Sequence, residues 1–216
     1  MIIIDNILEV ENYIDDVKVI IFDLDDTLYN EEDYIKSGYK NIAKCFKNVN
    51  NMYNELYDAY KDGKKAIDYV FEKYGLLSMK DKALEIYRNQ EPDIVIDKKV
   101  AELLDRLKET KKVGLITDGR PNGQKAKIKA LGIEQYFDRI IITDELGGVE
   151  FRKPNEKAFV IMKNYFNCNY NEMVYVGDNI NKDFIAPQKL GMKQIYFKNK
   201  KGLYWYEYFI FNIVSN

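Results

Sequence analysis

Residues 17–29 read Val-Lys-Val-Ile-Ile-Phe-Asp-Leu-Asp-Asp-Thr-Leu-Tyr and join an apolar run to a group of acids. The run from Val17 to Phe22 is almost continuously apolar and β-branched, which is typical of a strand covered on both faces. Asp23, Asp25 and Asp26 follow at the point where that strand should end. Because carboxylates this close repel one another, they indicate a cation or another positive partner nearby.

The positions of Asp23 and Asp25 suggest chemistry at phosphorus. Ligands of open α/β sheets bind at the carboxyl ends of parallel strands. An aspartate at such an end can attack phosphorus as a nucleophile, and a second aspartate two residues later can act as acid and base at the same site. The alternative is an ordinary strand followed by an acidic turn, and the rest of the chain has to distinguish the two.

At these residues the sequence resembles the haloacid dehalogenase-like (HAD) superfamily, whose first motif reads Asp-x-Asp-x-Thr. This chain has Asp23-Leu24-Asp25-Asp26-Thr27. The resemblance implies that Asp23 is the nucleophile and that Asp25 is the acid and base. The dehalogenases of that family lack the second aspartate and need no metal, so Asp25 argues against that branch.

Thr117-Asp118-Gly119 ends another apolar run and resembles the second HAD motif, a strand that ends in threonine or serine. Phosphate binding needs a hydroxyl and free backbone N–H groups, and a glycine lets the backbone approach closely. We therefore expect Thr117, Asp118 and Gly119 to bind phosphate. The same three residues also fit a plain turn, and the neighbouring Arg120 and Asn122 fit either a substrate contact or a solvent-facing loop.

Lys153 precedes Pro154 and resembles the third HAD motif, a lysine commonly followed by proline. Its fixed charge would stabilise the carboxylate of the nucleophile and the charge that builds on the phosphoryl oxygens. Lys-Pro before a helix is also common on protein surfaces. Arg152 is the competing cation, but it lies one position out of register.

Asp178 ends the apolar run of residues 173–177, and Asp183 follows it, as in the fourth HAD motif. The resemblance implies that Asp178 contacts a metal directly and that Asp183 supports the metal directly or through water. Oxygen ligands suit Mg²⁺, which is the predicted cofactor. The predicted ligands are Asp23, Asp25 through its backbone carbonyl, Asp178 and Asp183.

Apolar runs separated by helical patterns predict an α/β fold, a Rossmann-like parallel sheet with helices on both faces. The HAD resemblance extends from about residue 17 to residue 197 and implies the core of that family plus a small α-helical cap domain. We assign residues 1–29 and 92–216 to the core and residues 30–91 to the cap. The predicted strands cover residues 17–22, 113–117, 139–143, 173–177 and 194–197.

The predicted cap contains four helical patterns and no strand-like run. Tyr53, Leu56, Tyr57 and Tyr60 recur at helical spacing. We interpret this aromatic stripe as the core of a small bundle and not as a binding surface, because short helices need a buried face to be stable. In the HAD family such an insertion closes over the site, where it excludes water and adds substrate contacts.

The composition excludes several classes of function. There are 33 basic and 35 acidic residues, so the net charge of −2 gives no reason to expect nucleic acid or an acidic membrane surface. The chain has no histidine, which excludes Ser-His-Asp and Cys-His catalysis and histidine metal sites. Cys45 and Cys168 fit neither a disulfide framework nor a paired metal motif.

The opening Met-Ile-Ile-Ile is too short for a signal peptide and residues 204–214 are too interrupted to span a bilayer, so we expect a cytoplasmic protein.

Three other segments have no chemical signal. Residues 5–15 predict a short packing helix before the first strand. Lys125, Lys127 and Lys129 are expected to form the solvated surface of a helix over residues 124–131. The aromatic tail of residues 203–210 is interpreted as packing on the core, with a dimer surface or a partner site as the alternative.

The main functional hypothesis is a Mg²⁺-dependent phosphatase that hydrolyses a small phosphorylated metabolite through an aspartyl-phosphate. A phosphomutase would use the same core but return the phosphoryl group to a rearranged sugar. A non-catalytic HAD-like binding protein is the third hypothesis, and it predicts lost catalytic residues, whereas all expected positions are filled. The expected partner is a small-molecule phosphate ester, with no nucleic acid and no membrane, and the expected assembly is a monomer or homodimer.

Overall fold

A computed structural model describes residues 1–203 of the chain. Within these residues a six-stranded sheet has the order β1-β6-β5-β2-β3-β4, and every neighbouring pair is parallel. The predicted parallel α/β sheet is thus confirmed. The strands are β1 (Ile2–Ile4), β2 (Val19–Phe22), β3 (Lys112–Thr117), β4 (Arg139–Ile142), β5 (Met173–Gly177) and β6 (Lys193–Phe197).

The described residues contain eight α-helices, which connect the strands or form a separate group after β2. They are α1 (Glu31–Cys45), α2 (Met52–Lys61), α3 (Ala66–Lys73), α4 (Lys80–Arg88), α5 (Lys98–Thr110), α6 (Pro121–Leu131), α7 (Lys157–Phe166) and α8 (Ile185–Leu190). The start of α6 has Pro121 in its first turn, where proline leaves no needed N–H unpaired.

Helices cover both faces of the sheet. Ile20 and Phe22 of β2 lie in one buried cluster with side chains of α5 and α6. Val19 and Ile21, which point to the opposite face, lie in a second buried cluster with side chains of α7 and α8. This burial on both faces explains why the β2 sequence is a continuous apolar run and not an alternating one.

Strand β1 was not predicted from the sequence. It pairs in parallel with β6 at the edge of the sheet. A run of three β-branched residues is too short to be distinguished from a loop by its periodicity, and its partner strand lies far away along the chain. The helix predicted within residues 5–15 is a 3₁₀ helix, Ile7–Tyr13, which buries Ile7 and Val10 against the core.

Helices α1 to α4 form a helical unit with a hydrophobic core of its own. Ile42, Leu56, Val70 and Phe71 are completely buried in it. The tyrosines of the aromatic stripe pack against this core with part of their surface, as expected for a bundle. The assignment of residues 30–91 as a cap stays a prediction.

None of the helices in residues 1–203 combines the length and the apolar character that a membrane span requires. Cys45 and Cys168 are free thiols. The prediction for the aromatic tail concerns residues that, beyond Leu203, lie outside the described part of the chain.

Candidate active site

The carboxyl ends of three adjacent strands place the predicted site residues at one edge of the sheet. Strand β2 lies between β3 and β5, and Phe22 is level with both Leu115 and Val176. Residues that follow these strands are therefore neighbours in space although they are distant in sequence. Asp23, Asp25, Asp118, Gly119 and Asp178 from these strand ends line a cavity of about 460 Å³, together with Lys153 from the segment between β4 and α7.

Among residues 1–203, the buried carboxylates of Asp23, Asp178 and Asp183 form the acidic centre of the site. Each offers an oxygen within 4.8 Å of the oxygens of the other two. Asp183 fits there because residue 177 is glycine: a Cβ atom on Gly177 would lie 2.5 Å from Asp183 Oδ2. The backbone N–H of Asn179 donates to the same oxygen at 2.9 Å and fixes its position. The two acidic strand ends therefore converge.

Lys153 is the cation of the acidic centre, and its side chain is fully enclosed. Its Nζ lies 2.5 Å from Asp23 Oδ1 and 2.9 Å from Asp183 Oδ1, and it donates to the Tyr175 hydroxyl at 2.7 Å. Burial lowers the pKa of Lys153, but the charges of Asp183 and Asp23 outweigh burial and hold this pKa well above its ordinary value. Lys153 is therefore a fixed positive charge beside the candidate nucleophile.

The acidic centre fits a divalent cation. Burial and the charge of Asp183 raise the pKa of Asp23 to about 7, against the opposing charge of Lys153. Burial and the charges of Asp183 and Asp23 raise the pKa of Asp178 well above its ordinary value. Oxygen donors that are buried together and repel one another are the ligand set that hard divalent cations prefer, because the cation relieves the repulsion.

Protein groups already hold the side chains of two predicted phosphate-binding residues. Gln124 Nε2 donates to the Thr117 hydroxyl. Asp118 Oδ1 accepts from the backbone N–H of Lys153 at 3.0 Å, and Asp118 Oδ2 accepts from Lys182 at 3.1 Å. A contact between Asp118 and a phosphate would therefore come from the Asp118 backbone.

The loop after β3 also brings backbone groups to the cavity. Gly119 lines the cavity with a φ of 138°, a conformation that glycine adopts freely. Arg120 lines the same cavity and is exposed, while Asn122 lies with it in a neighbouring cavity. Arg120 is thus at the wall of the cavity that Asp23 lines, and Asn122 is at the wall of the neighbouring cavity.

The carboxylate of Asp25 does not belong to the group of three that forms the acidic centre. Asp25 Oδ1 lies 2.7 Å from Lys127 Nζ and accepts from the Tyr29 hydroxyl at 2.5 Å, and Asp25 Oδ2 accepts from Gln124 at 2.9 Å. Burial raises the pKa of Asp25, but Lys127 and these hydrogen bonds hold it below its ordinary value. The metal contact through the backbone carbonyl of Asp25, which the resemblance implies, stays a prediction.

The predicted solvent exposure of Lys127 is wrong. Lys127 is 5% exposed and lines the cavity. Besides its contact with Asp25, its Nζ lies 3.8 Å from Glu31 Oε1 and 4.5 Å from the centre of the Tyr34 ring. Burial lowers the pKa of Lys127, but Asp25 and Glu31 raise it above its ordinary value. The ammonium group of Lys127 thus lies in the interior, between the side chains of Asp25 and Glu31.

The sequence held a signal for this burial. Gln124, Lys127 and Leu131 recur at spacings of three and four and lie on the buried face of α6. Lys125 and Lys129 fall between these positions and are exposed, as predicted. The helical period therefore separates Lys127 from the two surface lysines.

Arg152, the competing cation, pairs with Asp144 and not with the acidic centre. Its guanidinium donates two hydrogen bonds of 2.7 Å to Asp144. This bidentate pair holds Arg152 at the cavity wall, whereas Lys153 contacts the acidic centre directly. The lysine at the motif position, and not the neighbouring arginine, is therefore the residue that contacts Asp23.

Asp26, the third acid of the opening cluster, contacts backbone groups. Its backbone has a left-handed φ of 55°. Asp26 Oδ1 accepts from the N–H of Glu31 at the start of α1, and Oδ2 accepts from the N–H of Leu203 at 2.7 Å. Asn199 also donates to the Asp26 carbonyl at 2.7 Å. Asp26 therefore joins the loop after β2 to α1 and to residues 199–203.

Glu31 and Lys182 line the cavity and were not predicted from the sequence. Burial and the charge of Asp25 raise the pKa of Glu31 to about 8. An acid in the first turn of a helix is common on surfaces, and a lysine in a loop is equally unremarkable in sequence, so neither residue carried a signal. Their positions depend on how α1 and the loop after β5 pack.

A family model described as haloacid dehalogenase-like hydrolase matches residues 20–197 of the chain. Among curated proteins, the glyceraldehyde 3-phosphate phosphatase of Pyrococcus furiosus is 30% identical over 202 residues, which cover 86% of this chain and 82% of the relative. The protein of the same name from Methanocaldococcus jannaschii is 30% identical over 194 residues, which cover 82% of each chain.

Solved structures share the architecture at lower identity. A HAD-superfamily hydrolase of subfamily IA from Geobacter sulfurreducens has a TM-score of 0.65 at 16% identity, with 85% of this chain and 88% of that chain covered. The HAD-hydrolase YfnB from Bacillus subtilis, crystallised with magnesium, has a TM-score of 0.63 at 16% identity, with 84% and 87% covered. These likenesses concern the fold.

Proposed function

The chain belongs to the haloacid dehalogenase-like hydrolases, and we propose that it is a Mg²⁺-dependent phosphatase acting on a small phosphorylated metabolite. The observation that carries this proposal is the buried group of Asp23, Asp178 and Asp183 with Lys153 in contact with two of them. The names of the curated relatives make glyceraldehyde 3-phosphate the first substrate to test.

In the proposed reaction Asp23 attacks phosphorus and forms an aspartyl-phosphate, while the bond from phosphorus to the ester oxygen breaks. Asp25 would take up a proton from solvent before this step, since Lys127 and its hydrogen bonds hold its pKa below the ordinary value, and would then give that proton to the leaving alcohol. In the second half, Asp25 takes a proton from water as the water oxygen attacks phosphorus and releases Asp23. Thr117 and the backbone at Gly119 would bind phosphoryl oxygens together with Lys153.

Asp23, Asp178, Asp183 and the backbone carbonyl of Asp25 would hold Mg²⁺. When bound, the ion neutralises charge on the phosphoryl group and on the clustered carboxylates. Lys153 would hold Asp23 in place, since its Nζ is 2.5 Å from Asp23 Oδ1. Asn179 would hold Asp183 through its backbone N–H.

We propose that the helical unit, residues 30–91, is a cap over this site. Glu31 and Tyr34 of α1 and Tyr87 and Arg88 of α4 line the cavity together with the strand ends. The helices thus supply part of the wall that a substrate would contact, which supports a role in excluding water and in substrate selectivity.

The test of the proposed function is a panel of phosphate esters, assayed with purified protein in the presence and absence of Mg²⁺. The panel begins with glyceraldehyde 3-phosphate and continues with sugar, nucleotide and organic-acid phosphates. We expect phosphate and the dephosphorylated product in equal amounts, and only with Mg²⁺. An isomer of the substrate with little free phosphate would identify a mutase instead. A protein inactive across the panel would favour the non-catalytic hypothesis.

Mg²⁺ binding is expected to tighten as the pH rises from 6 to 8. Protons compete with the metal for Asp23, whose pKa is raised to about 7, and for Asp178, whose pKa is raised well above its ordinary value. Each displaced proton makes the affinity change by up to about tenfold per pH unit. Isothermal titration calorimetry in buffers of different ionisation enthalpy measures both the affinity and the number of protons released. A Kd that stays constant over this range, with no proton release, would contradict the assignment of these two residues.

A further inference from the structure

Lys127 is a buried cation that the reaction proposed above leaves without a role. It lies in α6 and faces the cavity, 2.7 Å from Asp25 Oδ1 and 3.8 Å from Glu31 Oε1. The Tyr34 ring lies 4.5 Å from its Nζ. Removing an ammonium group from water is unfavourable unless the group is paired, so the position of Lys127 depends on its acidic partners.

Helix α6 holds both oxygens of Asp25. Lys127 contacts Oδ1, and Gln124, three residues earlier on the same face, donates to Oδ2 at 2.9 Å. Gln124 also donates to the Thr117 hydroxyl, so the helix links Asp25 to the loop proposed to bind phosphate. The Tyr29 hydroxyl completes the set at 2.5 Å from Oδ1. Asp25 is therefore fixed from several directions, and Lys127 is the charged member of the set.

We propose that Lys127 is a positioning residue for Asp25, which it holds in place for proton transfer to the leaving alcohol. The inference rests on the proposed phosphatase function. In that step an Asp23 oxygen bonds to phosphorus, the phosphorus–ester oxygen bond breaks, and the Asp25 proton moves to the ester oxygen. Lys127, Gln124 and Tyr29 fix the orientation of the Asp25 carboxyl group, and a misplaced proton donor transfers its proton to the ester oxygen much more slowly.

A purely structural role for Lys127 makes a different prediction. Its contacts with Glu31 and Tyr34 also join α6 to α1, so its loss could loosen the site as a whole. Such loosening would affect all substrates alike. A role through Asp25 depends on whether the leaving group needs a proton: an alkoxide leaves poorly without one, whereas p-nitrophenolate leaves readily.

The test compares kcat/KM for p-nitrophenyl phosphate and for the alkyl phosphate of the panel that the wild type hydrolyses fastest. Both esters give the same aspartyl-phosphate, and kcat/KM reports its formation. In Lys127→Met we expect kcat/KM to fall about 100-fold for the alkyl ester and less than about threefold for the aryl ester. The ratio of the two values does not depend on the folded fraction of the preparation.

Two further variants complete the test. Lys127→Gln keeps a hydrogen-bond donor without the charge and should show a smaller change of the same ratio. Lys125→Met removes a lysine from the exposed side of α6, where it pairs with Glu145, and should leave both values unchanged. Equal losses for both esters in Lys127→Met and Lys127→Gln, including complete loss of both activities, would overturn the proposal. A wild type that hydrolyses neither ester with Mg²⁺ would contradict the phosphatase function itself.

Discussion

Asp23→Asn is expected to abolish Mg²⁺-dependent phosphate release, with a loss of at least about 10⁴-fold in kcat. An amide cannot attack phosphorus in place of the carboxylate, and the change also removes one ligand from the acidic centre. Two measurements check this result. The first is phosphate release from the best substrate of the panel, and the second is acid quenching during turnover, which should trap phosphate on the wild type and not on the variant.

The matched control for this substitution is Asp105→Asn, on the exposed side of α5. It makes the same chemical change at a residue that does not line the cavity, and it should keep wild-type turnover. Circular dichroism and thermal unfolding of both variants verify that each is folded. Turnover of Asp23→Asn within about tenfold of the wild type would refute the assignment of Asp23 as the nucleophile.

Lys153→Met is expected to reduce both activity and stability. The change leaves the buried carboxylates of Asp23 and Asp183 without the ammonium group that contacts both. Breaking such a buried pair costs about 3–5 kcal/mol in the free energy of unfolding. Loss of a preorganised charge at the phosphoryl group lowers kcat by about 10²–10³-fold. Urea unfolding and steady-state kinetics measure the two effects.

Added Mg²⁺ should affect the stability and the kcat of Lys153→Met differently. A divalent cation among the same carboxylates replaces part of the missing positive charge, so added Mg²⁺ should recover more unfolding free energy in the variant than in the wild type. It should not restore kcat, since the ion does not occupy the position of the lysine. Lys157→Met, in the exposed first turn of α7, is the control. Wild-type kinetics in Lys153→Met would exclude a role for Lys153 at the site.

The sequence predicted the sheet well because its central strands are covered on both faces. Such strands appear as continuous apolar runs, and β2, β3 and β5 each do so. The edge strand β1 was not predicted because three residues are too few to show a periodicity. Its assignment as a strand depends on its pairing with β6. The helical unit was recognised from its period of 3.6, which is a local property.

For the site, the sequence indicated residues at strand ends but not the residues that pack against them. Asp23, Lys153, Asp178 and Asp183 have motif positions and lie together in the structure. Lys127 was expected on the solvated surface together with Lys125 and Lys129, although positions two apart do not share a helical face. The spacing within α6 indicates that Lys127 is on the buried face. Its contact with Glu31 of α1 cannot be read from that spacing.

During synthesis, β1 has no strand to pair with until β6 has been made, since the two lie side by side at the edge of the described sheet. Asp183, which completes the acidic centre, is translated shortly before β6. A nascent chain that ends before these residues therefore keeps residues 2–4 unpaired and lacks a full set of carboxylates. The edge pairing of the sheet and the full set of carboxylates are therefore both completed only when residues 183–197 have been translated, so a shorter nascent chain lacks the ligand set proposed for the ion.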